Sequence, residues 1–211
     1  MSLIIGLIFF SVGVVATIRA NIGFAPWEVF HVGLSNVTGL SIGVIAIIVG
    51  AVIVIIVTLL GERLGLGTIM NMIVIGLIFD IIFPHFPQAQ NAITGTIMLL
   101  AGIFSISLGT YFYMRGAFGT GPRDSLMVAL TRKTKLPVGL CRGIIELLVT
   151  ISGFFLGGMV GFGTVIFVVA IGFSVQMTFK LFKFDPKAIR HETLRDTYTT
   201  LKNAMQRKST P

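Results

Sequence analysis

Ionised side chains inside long apolar runs are the residues of this chain most able to do chemistry. A charge in hydrocarbon costs several kcal/mol unless something answers it, so each one asks for a partner. Glu146 is the sharpest case, well inside the apolar run 137–157, and Arg142 precedes it by the i,i+4 spacing that puts two helical side chains on one face. The pair reads equally as a brace for helix packing and as a contact for a bound solute. Glu28 and Asp124 form a second set, in Pro26-Trp27-Glu28 and Pro122-Arg123-Asp124. A proline at the first helical position puts each acid in a first turn, where the helix dipole favours negative charge. Dipole compensation explains them without a ligand; two helix starts facing each other around a solute explain them as well. Trp27 in one copy against Arg123 in the other gives an asymmetric site, an aromatic or cation-binding wall opposite a cationic group. That suits a small zwitterion or organic ion. His31, one turn after Glu28, reads as a pH-sensitive partner or an interfacial polar residue. Asn71 and Asp80 share one face of a helix, with Asp80 near its outer end and hydrated there.

Other chemistries lack their residues. No Cys/His cluster has metal-ligand spacing, no Ser/His/Asp set can be proposed, and the glycine runs lack the Gly-Lys-Thr ending of a phosphate loop. We therefore expect no enzyme, no metal and no cofactor. The single cysteine, Cys141, excludes an intramolecular disulfide.

The elements that must position these residues come from a duplication. Slid back by 96 positions, Arg115 falls on Arg19, Gly119 on Gly23, Pro122 on Pro26 and Asp124 on Glu28, without a gap. The same shift puts Gly102 on Gly6, Gly109 on Gly13, Gly139 on Gly43, Gly161 on Gly65 and Gly172 on Gly76. Glycines, prolines and an acid kept in one register over half a chain mark a tandem repeat. Only 11% of residues are charged, 55% are hydrophobic and the mean hydropathy is +0.96. A soluble domain carries about 25% charged residues, so this is an integral membrane protein. Its partners are expected to be the lipid bilayer and an unknown small-molecule or ion ligand, and homo-oligomers are left open.

Apolar runs long enough to span occur at 2–18, 41–60, 67–83, 92–114, 137–157 and 164–181. The first has no basic n-region and no A-x-A site, and its counterpart is internal, so it reads as a span rather than a signal peptide. The segments after Pro26 and Pro122 are too short to cross and read as half-helices. The expected fold is an all-α membrane protein of six spanning helices and two short half-helices, built as two tandem repeats. Residues 1–182 form one integral membrane domain, with repeat one at 1–84 and repeat two at 97–181.

Three spans per repeat give the repeats opposite orientation. One side then holds Arg63, Arg115, Arg123, Arg132, Lys133, Lys135 and the tail; the other holds Arg19, His31 and His85. The positive-inside rule puts both termini in the cytoplasm. The net charge of +8 is concentrated in one loop and the tail, which argues topology rather than nucleic acid. Residues 183–211 read as a basic, amphipathic cytoplasmic tail, with Leu194, Tyr198, Leu201 and Met205 at helical spacing.

Arg19-x-x-x-Gly23-x-x-Pro26-Trp27-Glu28, the Gly-x-Gly-Thr turns, Gly121-Pro122-Arg123-Asp124-Ser125-Leu126-Met127 and Arg142-x-x-x-Glu146 together resemble the bacterial YczE/YitT-type integral membrane proteins. The resemblance covers residues 1 to about 182. It implies a multi-spanning bacterial membrane protein and supplies no substrate. The expected function is a small-solute transporter or permease with a central site between the repeats, formed by Trp27, Glu28, Arg123, Asp124, Arg142 and Glu146. The alternative is an accessory, binding or regulatory subunit that works with other proteins.

Overall fold

The computed structural model describes residues 1–62 and 64–185, so Arg63 and most of the expected tail helix lie outside the described residues. Among the described residues there are eight α-helices and no strand: α1 (Ser2–Arg19), α2 (Pro26–Thr38), α3 (Ile42–Leu59), α4 (Leu66–Ile82), α5 (Ala92–Arg115), α6 (Pro122–Thr134), α7 (Val138–Phe155) and α8 (Phe162–Leu181). Six of them, all but α2 and α6, are long and apolar enough to cross a membrane. The 13 residues of α2 and of α6 reach about 20 Å at 1.5 Å each, short of a core about 30 Å thick.

The helix ends follow the local sequence. Ser41 accepts from the Val44 amide at the start of α3, and Asn91 forms a capping box with Thr94 at the start of α5. Prolines open α2 and α6, and left-handed residues close them, Gly39 at φ 74° and Lys135 at φ 61°. Other positive φ angles also fall at matched positions, 54° at Asn21 and 59° at Ala117, then 116° at Gly23 and 119° at Gly119.

Helices in lipid gain little from apolar burial against each other, so they associate where small residues let backbones meet. The α1/α5 seam is built this way. The two helices run antiparallel, and Gly6, Gly13 and Ala20 on α1 face Gly109, Gly102 and Gly95 on α5, one small residue every seven. A Cβ on Gly13 would lie 2.7 Å from the Gly102 carbonyl oxygen, and one on Gly95 2.6 Å from that of Ala20. The hydroxyls of Ser2 and Ser105 donate across the same seam, to the carbonyls of Phe112 and Phe9.

The remaining helices hang on this pair. α4 lies parallel to α1, with the Ser11 hydroxyl reaching the Ile75 carbonyl and the Arg19 guanidinium donating to the Phe83 carbonyl at the far end. α8 docks on α5 through the Ser107–Ser174 hydrogen bond of 2.7 Å. Each half-helix packs on a helix of the opposite half, α2 on α7 and α6 on α3. The loops leading into them are pinned crosswise, because Gly67 N–H donates to the Phe118 carbonyl and Gly163 N–H to the Ile22 carbonyl.

Asp80 corrects its sequence reading. It is not merely hydrated at the outer end of α4: its carboxylate accepts from the Ser41 hydroxyl and from the Gly43 amide at 2.9 Å. An acid from α4 thus serves the N-terminus of α3, where the helix dipole favours it.

The seam predicts a contrast between two glycines. Gly13→Ala must push backbone from backbone and should destabilise the protein by about 1–3 kcal/mol. Gly172→Ala, at a mid-helix position where a Cβ would meet nothing within 4 Å, should be neutral or stabilising by up to about 1 kcal/mol. Thermal unfolding of both variants in detergent, followed by circular dichroism, checks the difference.

Candidate functional site

The two proline-opened helix starts face one cavity of about 480 Å³ at the centre of the bundle. Trp27 and Glu28 enter it from α2, Arg123 and Asp124 from α6, and Arg142 and Glu146 from α7, so all six expected site residues line the same space. The chain positions them by its breaks. Loops 20–25 and 116–121, clamped to the starts of α8 and α4, aim the first turns of α2 and α6 inward.

The charges within the cavity pair selectively. Arg123 reaches across the halves to Glu28, Nη2 to Oε1 at 3.3 Å, and Glu28 is buried. The same guanidinium lies over the Trp27 indole, 4.8 Å from its centroid. Trp27 and Arg123 therefore do not form opposite walls, as their sequence positions suggested; they stack. Arg142 Nε donates to Glu146 Oε1 at 2.8 Å, the i,i+4 pair expected. Asp124 has no hydrogen bond or ion pair among the described residues, because Arg123 beside it turns to Glu28 instead. Neither Glu28 nor Asp124 caps its helix through its side chain.

Several neutral polar atoms are also buried at the wall without a partner: Trp27 Nε1, His31 Nε2 and the Tyr113 hydroxyl. His31 is 3% exposed, so it is no interfacial residue. Asn71 of α4 lines the cavity near Gly121. Tyr113 was missed from the sequence, where only its place two residues before the repeated arginine could have drawn attention. The rest of the wall is mostly apolar, with Phe10, Phe79 and Phe167 from three helices, and carries Thr110, Thr120 and Gln176 as well. Among the described residues no three His, Cys, Asp or Glu side chains gather as metal ligands.

Comparison with known proteins places this architecture in a family. A family model described as a family of unknown function (DUF6198) matches residues 1–180. The chain belongs to that family. It is 34% identical over 186 residues to an uncharacterized membrane protein, YczE, of Bacillus subtilis, covering 85% of this chain and 86% of that one. An uncharacterized protein of Haemophilus influenzae is 35% identical over 159 residues, covering 75% of this chain and 73% of its own. YyaS, an uncharacterized protein of Bacillus subtilis, is 25% identical over 167 residues, covering 77% and 83%. No solved structure matches. The resemblance to YczE-type proteins read from the motifs holds, and with six apolar helices this DUF6198 protein is a multi-pass membrane protein.

The two ion pairs should differ in their weight for stability. Glu28 is 6% exposed and Arg123 32%, while Arg142 is 47% exposed. Arg123→Met strands a buried carboxylate and should cost about 3 kcal/mol, the lower end of the range for breaking a buried pair. Arg142→Met breaks an open pair and should cost less than about 1 kcal/mol. Unfolding titrations of the two variants in one detergent check the order.

Proposed function

We propose that this protein is a small-solute transporter of the cell inner membrane, built as two tandem repeats of inverted topology, with its termini in the cytoplasm. One observation carries the reading: equivalent helix pairs are closed in one half and parted in the other. In the first half, Gly43 lies against Gly76, and Asp80 seals the approach by binding Ser41 and Gly43. Their counterparts by the 96-residue shift are Gly139 and Gly172, and a Cβ on either would meet nothing within 4 Å. The cavity is thus shut between α3 and α4 and open between α7 and α8.

Exchanged contacts support the inverted arrangement. Gly6 meets Gly109 and Gly13 meets Gly102, and the 96-residue shift carries each of these pairs onto the other. Gly23 meets Gly161 and Gly119 meets Gly65 in the same crossed sense. Such reciprocity between antiparallel helices is what a pseudo-twofold axis in the membrane plane produces. The distribution of cations supports the orientation. Ser2 on Phe112 and Phe182 stacked on Tyr111 bring the start of α1 and the ends of α5 and α8 to one face. That face also carries Arg115, Arg132, Lys133 and Lys135, against Arg19 and His85 opposite.

In this reading the parted α7/α8 side faces the cytoplasm, and transport alternates which pair of helices is closed. The halves are not interchangeable, because α7 carries Arg142 and Glu146 where α3 carries Ala46 and Gly50. Small residues on α3 let α4 close in, whereas the charged pair on α7 stands in the cavity.

The test uses cysteines in a Cys141→Ala background. Gly139→Cys with Gly172→Cys should cross-link reversibly under mild oxidation in membranes, since the inner pair must close during a cycle. A cysteine at Lys133 should react with an impermeant maleimide only after the membrane is opened, and one at His85 from outside intact cells. Asp80→Ala removes hydrogen bonds to a charged acceptor, each worth about 1.5 kcal/mol or more, and should raise outside labelling of Ala46→Cys at least about tenfold. Failure of the 139/172 pair to cross-link, although each position labels singly, overturns alternation. Outside labelling at Lys133 overturns the inverted topology.

A further inference from the structure

The charge balance of the cavity goes further than its shape. Arg123 and Arg142 bring two positive charges to its wall, and Glu28, Asp124 and Glu146 bring three negative ones. Each guanidinium is already committed to one glutamate, at 3.3 Å and 2.8 Å, which leaves the Asp124 carboxylate without a direct ion pair or hydrogen bond among the described residues, exposed to the cavity and within the field of both arginines. His31 contributes little charge, since an imidazole without an acidic partner is mostly neutral at pH 7, and its Nε2 has no partner. The cavity therefore carries one uncompensated negative charge between largely apolar walls.

We propose that the cavity takes an organic monocation, an amine or quaternary ammonium with an apolar body, with the Asp124 carboxylate as its counterion. This rests on the cavity being a ligand site, as the transport reading does, but it does not require that the ligand be moved. An anion would add to the excess charge and a neutral solute would leave it standing, whereas a bound cation offsets it, in competition with a proton on Asp124. A bare inorganic ion would gain nothing from Phe10, Ile75, Phe79, Phe167 and Ile171, and a single free carboxylate gives it no coordination shell. The volume of about 480 Å³ falls in the range of small-molecule sites. Arg123 orients the guest, because its guanidinium covers the Trp27 face and repels a second cation there. The cationic head is left to the Asp124 side.

The chain carries its own reporter, since Trp27 is its single tryptophan and lines the cavity. Full-length protein in lipid nanodiscs is titrated with phenethylammonium, phenethyl alcohol and phenylpropanoate, three probes that share a phenethyl body and differ in the charge of the end group, and Trp27 fluorescence is read. Phenethylammonium should bind at least tenfold more tightly than the alcohol, with phenylpropanoate weakest. Asp124→Asn should abolish the gap between ammonium and alcohol while leaving alcohol binding in place, and Asp124→Glu should restore the gap. Melting temperatures confirm that each variant is folded. Tightest binding of phenylpropanoate, an ammonium preference that survives Asp124→Asn, or no Trp27 response to any probe overturns the proposal. Selective ammonium binding without uptake into proteoliposomes would remove the transport reading and keep the cation site. Selective binding of the neutral or anionic probe with uptake would do the reverse.

Discussion

The close approach of α1 and α5 is the constraint on which the other helices depend. Lipid offers these helices no hydrophobic reason to associate, so the contact must be made by backbones in van der Waals reach. Gly6, Gly13, Gly95, Gly102 and Gly109 supply it, and the hydroxyls of Ser2 and Ser105 fix its register. α4 docks on α1 and α8 on α5, while the short helices α2 and α6 cross to the opposite half. The breaks before those short helices then have one direction to point, into the space the seam leaves open.

Two arginines and three carboxylates meet in that space; Arg142 takes its i,i+4 neighbour Glu146, but geometry rather than sequence adjacency decides the partner of Arg123. Arg123 stands next to Asp124 in the chain, yet neighbours on a helix point in different directions. Its guanidinium instead spans the cavity to Glu28 of the other half and lies on Trp27. The local pair is thereby broken and a cross-half pair is made. This leaves the Asp124 carboxylate without a direct ion pair at a mostly apolar wall.

The two halves share turns, caps and glycines but not their closure. Gly43 and Gly76 meet, helped by the Asp80 carboxylate at the α3 N-terminus, whereas Gly139 and Gly172 face empty space. The second half replaces Asp80 with Gln176 and sets Arg142 and Glu146 where the first has Ala46 and Gly50. A repeat whose parts are alike in backbone and unlike in these side chains can hold one side shut while the other stands open.

The sequence by itself determined the class, the six long helices, the two short ones and the residues of the candidate site. It could do so because these depend on local quantities: run length, hydropathy, a proline at a helix start, and a charge where water is scarce. It also showed glycines and prolines recurring at a 96-residue spacing, which is legible without a structure. Only the tertiary structure decided that Arg123 pairs with Glu28. It turned Asp80 from a hydrated residue into a partner of the α3 N-terminus, buried His31, and brought Tyr113 to the wall. The closed and open helix pairs were likewise invisible in the chain, where Gly43 and Gly139 look alike. Partner choice for a side chain depends on where other helices put theirs, and that is set by packing across residues far apart in sequence.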